Sequence, residues 1–152
     1  PYYAKLAVVP VSAALTALTD QVVDLKDDPD GLRHAMEAFF ASEGGVWELQ
    51  VQLATDLDQM PIEDASSQWP ETLSPYVTVA TLEVKPQAAW SEENVRRIDD
   101  GMAFSPWHGL AAHRPLGGVM RVRKPAYEMS ANFRGQHNGC PIHEPGPKGP
   151  SL

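Results

Sequence analysis

One tyrosine near the C-terminus lies between two arginines at a spacing that could support metal chemistry. Tyr127 follows Arg123 by four residues and precedes Arg134 by seven. A phenol ordinarily keeps its proton up to about pH 10, so it is a poor metal ligand near neutrality. A cation beside it favours the ionised form, and a phenolate can then serve as the axial ligand of a haem iron. Because a second arginine on the same side could bind a haem propionate, the three residues together indicate a haem site.

A helix must carry these side chains if they are to act together. The sequence predicts one from about Gly118 to Phe133, on which residues four apart share a face and residues seven apart are separated by about two turns. Pro125 interrupts this segment and predicts either a kink or a new helix start. In the second case Arg123 would lie before the first turn and miss Tyr127.

Two histidines lie in the loop that precedes this helix, at about residues 103–116. His108 and His113 could hydrogen-bond a propionate or line an access path, and His113 is the candidate cofactor-binding residue of the two. The alternative for both is a structural hydrogen bond within the loop.

The rest of the chain predicts short strands and helices joined by one long connection. Residues 56–76 form that connection, and loops of this length are uncommon unless they cover or line something. The expected elements, in chain order, are a strand at 2–11, a helix at 30–43, a strand at 47–53, a strand at 76–84 and a helix that begins after Ser91.

The strand at 47–53 has the clearest alternation of apolar and polar residues. Glu48, Gln50 and Gln52 share one face, and this pattern predicts a strand that is buried on its other, apolar face. The apolar face is formed by Trp47, Leu49, Val51 and Leu53.

The order of these segments resembles the catalase superfamily, and most closely the shorter bacterial catalase-like haem proteins. The resemblance covers roughly Tyr2 to Arg134 and implies that Tyr127 is the proximal ligand of the iron in haem b. It also implies that Arg123 hydrogen-bonds the tyrosine oxygen and that Arg134 meets a propionate. The segments that carry it are Asp30-Gly31-Leu32-Arg33, the strand around Trp47 to Leu53, Trp69-Pro70 with the strand that follows, Ala103-Phe104-Ser105-Pro106 and Arg123-x-x-x-Tyr127.

The resemblance also implies a fold and a domain organisation. We expect an α+β protein built on an antiparallel β-barrel of catalase-like type with surrounding helices, of which this chain supplies only part. Residues 1–134 would be the C-terminal, proximal portion of the haem domain, and residues 135–152 a Pro/Gly-rich extended tail. The distal histidine and asparagine of such enzymes would precede the matched region, so the N-terminal half of the same domain is an expected partner.

Composition excludes several other classes of protein. The chain of 152 residues has 12 basic and 20 acidic residues, and its net charge of −8 disfavours nucleic acid and anionic membranes as partners. Its single cysteine, Cys140, cannot form an internal disulfide, which fits a reducing compartment such as the cytoplasm. No apolar run approaches the roughly 18 residues of a membrane span.

These observations predict a haem-dependent oxidoreductase acting on peroxides, in the manner of a catalase or peroxidase. Arg123 and Tyr127 would be its catalytic residues on the proximal side, and a homo-oligomer is expected from the resemblance. Two alternatives remain open: a haem-dependent isomerase or peroxidase of organic or lipid hydroperoxides, and a non-catalytic barrel that has lost haem and serves as a binding or assembly module.

Overall fold

The computed structural model describes residues 3–139 and 142–144 and shows an α+β protein. The chain divides into two units, one formed by residues 3–60 and 69–90 and the other by residues 61–68 and 91 onward. The regular elements, in order, are β1 (Ala4–Pro10), α1 (Ala13–Thr16), α2 (Gly31–Ser42), β2 (Gly45–Leu53), β3 (Val77–Val84), α3 (Glu92–Asn94), a π-helix (Val95–Asp100), a 3₁₀-helix (Ala111–His113) and α4 (Gly118–Asn138).

The three strands form one antiparallel sheet in the order β1-β2-β3. Leu6 and Val8 of β1 lie opposite Val51 and Leu49 of β2, so their apolar side chains share one face of the sheet. Val77 of β3 pairs with Val51 from the other side, and the register shifts between Leu49 and the next residue. The predicted antiparallel strands are therefore confirmed. The sheet is open rather than closed, and the described residues do not form a catalase-like barrel.

At the C-terminal end of β2, the buried side chain comes from the face that the sequence predicted to be exposed. The most buried side chain of β2 is Gln52, from the polar face, which is 1% exposed, whereas Leu53 on the apolar face is 40% exposed. The Gln52 amide donates hydrogen bonds to the carbonyl oxygens of Trp69, at 3.2 Å, and Ser74, at 2.9 Å. Burial of the polar side chain is tolerated because the long connection supplies these two acceptors.

The helix α2 packs on the other end of the sheet through aromatic rings. Phe40 is buried, and its ring stacks on Trp47 of β2 with centroids 6.4 Å apart. Its carbonyl oxygen accepts a hydrogen bond of 2.7 Å from the amide of Gln87, beyond β3. The predicted helix at 30–43 is thus confirmed to within one residue at each end.

The second unit contains the helices that the candidate site requires. Ser91 caps α3 as predicted, its hydroxyl accepting a 3.1 Å hydrogen bond from the amide of Asn94. The helix then widens into the π-helix, which the sequence did not predict. The final helix α4 begins at Gly118 as predicted but ends at Asn138. The expected extended tail is therefore wrong for residues 135–138, which are helical, and of its remainder only 139 and 142–144 lie within the described residues.

In the parts of the chain that the structure describes, no helix combines the length and the apolar composition that crossing a bilayer requires.

Candidate functional site

The helix α4 brings Arg123 and Tyr127 into contact. It runs without interruption through Pro125, so Arg123 lies inside the helix one turn before the tyrosine. The Arg123 guanidinium donates a hydrogen bond to the Tyr127 hydroxyl oxygen, and its central carbon lies 5.2 Å from the centroid of the tyrosine ring. Of the two arrangements that the sequence left open, the structure has the one in which the arginine reaches the phenol.

Tyr127 lines a pocket of about 490 Å³ in the second unit. This volume falls within the range of roughly 300–1,000 Å³ typical of sites for small molecules and cofactors. The tyrosine is half-buried there, and most of the lining is apolar. The lining residues are Ile98, Asp99, Met102, Ala103, Phe104, Ala126, Tyr127, Ser130 and Arg134.

Arg134 lines the same pocket and also holds the end of the π-helix. Its Nη1 donates to the carbonyl oxygen of Asp99 and, at 3.1 Å, to that of Met102. Carbonyl groups at a helix end lack partners within the helix, so the guanidinium satisfies them from outside. Both bonds use one nitrogen, and a guanidinium carries three further donors on Nε and Nη2. Arg134 can therefore hold the pocket wall and still present donors to an anion.

The beginning of α4 is held by an ion pair with the segment at 61–68. Arg121 donates to both carboxylate oxygens of Glu63, at 2.9 and 2.7 Å. The hydrogen bond from Arg121, and then its charge, lower the pKa of Glu63, and the same bond raises the pKa of Arg121. Just before α4, Gly117 has a φ of 89°, which favours glycine, and a Cβ there would lie 2.8 Å from the carbonyl oxygen of Ile62.

The segment at 142–144 lies against the chain that forms one wall of the pocket. The His143 amide donates to the carbonyl oxygen of Gly101, and the Ala103 amide donates to the His143 carbonyl oxygen, both at 3.1 Å. The Glu144 carboxylate contacts the imidazole Nδ1 of His108 in the loop that follows. This segment was expected to belong to an extended tail, and the sequence carried no signal for the pairing.

The structure separates His113 from the other candidate residues. His113 ends the 3₁₀-helix and is exposed, and its amide donates to the carbonyl oxygen of Leu110 at 2.8 Å. Neither it nor Arg123 belongs to the set of residues that line the pocket. The structure thus brings Arg123 into contact with Tyr127 and places Tyr127 and Arg134 in the lining of one pocket, to which His113 does not belong.

Clusters of three or more histidine, cysteine, aspartate or glutamate side chains that could hold a metal ion are absent from residues 3–139 and 142–144. A haem iron held by a single tyrosinate is a different kind of site, because the porphyrin supplies the other ligands.

Comparison of the chain with family models, with curated proteins and with solved structures found no match.

Sequence reasoning identified the polar members of the site better than its walls. Ile98 and Met102 line the pocket, and the sequence did not predict the π-helix that contains Ile98. The sequence analysis predicted no role for Phe104, which lies in the loop at about residues 103–116, and none for Glu63. An acidic residue 58 positions before Arg121 is a partner that only the tertiary structure can reveal.

Proposed function

We propose that this chain supplies the proximal haem side of an oxidoreductase that acts on peroxides. The observation that carries the proposal is the Arg123–Tyr127 hydrogen bond on a helix whose tyrosine lines an apolar pocket. The charged guanidinium makes this hydrogen bond stronger than one between neutral groups, so it fixes the position of the phenol oxygen that would bind the iron. Haem b is the cofactor proposed for this pocket.

The residues present fit such a group in polarity and charge. A haem offers a large apolar face, and Ile98, Met102 and Phe104 give the pocket an apolar lining. Its carboxylates need cationic donors, which the Nε and Nη2 groups of Arg134 can supply. The pocket wall therefore combines one oxygen ligand, an apolar surface and an anchoring cation.

Each of these residues would have a definite task. Tyr127 would hold the iron through its phenol oxygen, Arg123 would hydrogen-bond that oxygen and fix its position, and Arg134 would orient the group by one propionate. When bound, the haem would supply the redox chemistry of peroxide reduction or dismutation. Distal residues that move protons would come from the N-terminal half of the domain, which is the expected partner of this chain.

The open sheet supports the larger fold that this proposal requires. On its apolar face Leu6, Val8 and Val77 are 69%, 58% and 55% exposed. Patches of this kind usually mark an interaction surface. We propose that further strands of the same domain complete an antiparallel barrel over this face, that the complete protein forms a homo-oligomer, and that it works in the cytoplasm.

Haemin titration of the intact protein, in which the N-terminal half of the domain is present, tests the cofactor assignment. We expect wild type to develop the absorption spectrum of a ferric, high-spin, tyrosinate-ligated haem. Tyr127→Phe should weaken binding at least about tenfold and alter the spectrum, because it removes only the ligand oxygen. Tyr76→Phe, in the first unit directly before β3 and half-buried like Tyr127, is the matched control and should leave the affinity and the spectrum unchanged. An identical spectrum in Tyr127→Phe would remove this tyrosine from the role.

The same exposed face also favours the alternative of a haem-free binding or assembly module. An apolar sheet face needs a partner whether or not the pocket holds a cofactor. Soret absorbance of the intact protein after purification separates the two, since a module that has lost haem has none. If haem is present, oxygen release from hydrogen peroxide supports a catalase, and conversion of organic hydroperoxides without oxygen release supports the isomerase or peroxidase.

A further inference from the structure

The stretch from Gly101 to Phe104 forms one wall of the Tyr127 pocket without regular secondary structure. It follows the π-helix, and Met102, Ala103 and Phe104 line the pocket. At its start, the Gly101 and Met102 amides donate to the carbonyl oxygen of Ile98. The Ala103 amide and the carbonyl oxygens of Gly101 and Met102 bond instead to residues distant in the chain, so the position of the wall also depends on those partners.

Two groups hold this wall through its backbone. From α4, the Arg134 guanidinium donates to the Met102 carbonyl oxygen at 3.1 Å. From residues 142–144, His143 forms a parallel β-bridge with Met102, through the 3.1 Å hydrogen bonds to Gly101 and Ala103. The bridge engages the residues on both sides of Met102, so it fixes the direction of the chain at that point.

A second contact ties the same segment to the following loop. Glu144 pairs with His108, five residues beyond Ala103. The exposed fractions of these two side chains are 36% and 73%, so solvent weakens the pair, and the backbone bridge is the stronger of the two ties.

We propose that residues 142–144 act as a strap that positions the Met102–Phe104 wall, so that the affinity of the Tyr127 pocket for its ligand depends on this segment. The inference rests on the proposed function, because it concerns the same pocket. It adds that a C-terminal segment, distant in sequence from the haem-binding residues, is a positioning element of the site.

The test compares two substitutions at one position. His143→Pro removes the amide that donates to Gly101, whereas His143→Ala keeps the amide and removes only the imidazole. Haemin titration should show affinity lowered by about three- to tenfold in His143→Pro and unchanged in His143→Ala. Hydrogen exchange at the Ala103 amide, measured without haemin, should accelerate by a similar factor in the proline variant alone.

The two measurements distinguish failure of the strap from failure of the haem assignment. If wild type binds no haemin, the proposed function fails, and the exchange rates alone decide the strap. Equal exchange at Ala103 in all three proteins overturns it. If wild type binds haemin, an unchanged haemin affinity in His143→Pro overturns the strap proposal. A weaker affinity without faster exchange at Ala103 overturns it as well, because the loss of affinity then does not act through the Met102–Phe104 wall.

Discussion

Arg123 donates a hydrogen bond to the Tyr127 hydroxyl oxygen across one turn of α4, with Pro125 between them. A proline inside a helix removes one backbone hydrogen bond and often kinks the axis. Here the helix continues on both sides of it, so the spacing of four residues still places the two side chains on one face.

Replacing the arginine should weaken haem binding while leaving the fold intact. Arg123→Gln removes the charged guanidinium that donates to the Tyr127 oxygen, and we expect about a three- to tenfold loss of haemin affinity by titration. Lys124→Gln removes the same charge one residue further along α4 and is the control. Equal effects of the two substitutions would mean that general charge, rather than contact with Tyr127, is responsible.

The Glu63–Arg121 pair should make the stability of the second unit depend on pH. The folded pKa of Glu63 lies below its ordinary value of 4.5 because Arg121 hydrogen-bonds and attracts the carboxylate. The pair therefore stabilises the folded chain above that ordinary value, and the contribution is lost as the pH falls through the lowered pKa. We expect Glu63→Gln to reduce the thermal midpoint by roughly 1–3 °C near neutrality.

The same substitution should lose its effect once the pH has fallen below the lowered pKa of Glu63, because the wild-type carboxylate is then protonated. In the background of Arg121→Gln, Glu63→Gln should change nothing at either pH. The pairing of Glu63 with Arg121 would be contradicted if Glu63→Gln lowered the thermal midpoint as much in acid as near neutrality. It would also be contradicted if the decrease were as large in the Arg121→Gln background.

Removing the buried amide of Gln52 in β2 should lower the stability of the chain far more than removing the carboxylate of Glu63. Gln52→Met keeps the side-chain length but removes the hydrogen bonds that the amide donates to the carbonyl oxygens of Trp69 and Ser74. Because Trp69 and Ser74 are buried, we expect the free energy of unfolding in urea to fall by about 2–4 kcal/mol. Gln50→Met, on the same strand and face but half-buried, should cost less than about 1 kcal/mol. If Gln52→Met also cost less than about 1 kcal/mol, the carbonyl oxygens of Trp69 and Ser74 would have found other donors.

Two glycines allow strain and steric contact to be separated. Gly117→Ala combines a φ of 89° with a Cβ 2.8 Å from the Ile62 carbonyl oxygen, and should destabilise the chain by about 2 kcal/mol or more. Gly139→Ala has a φ of 63° but no atom within 4 Å of the added Cβ, so only about 1 kcal/mol of backbone strain is expected. Equal losses in urea unfolding would show that the contact with Ile62 relaxes.

Local sequence patterns predicted the elements that depend on local physics. The helix α2, the strands β2 and β3 and the cap at Ser91 were predicted within a residue or two, because periodicity and capping chemistry act over short distances. The pairing of Arg123 with Tyr127 belongs to the same class, since residues four apart on a helix meet whatever surrounds them.

Tertiary contacts decided what the sequence could not predict. Gln52 is buried and Leu53 exposed because Trp69 and Ser74, from a distant connection, satisfy the amide. Arg134 reaches the carbonyl of Met102, and His143 bridges the same residue, because chain segments far apart in sequence meet there. Alternation and helical spacing describe which side chains share a face; which face is covered, and by what, depends on long-range partners that no local pattern encodes.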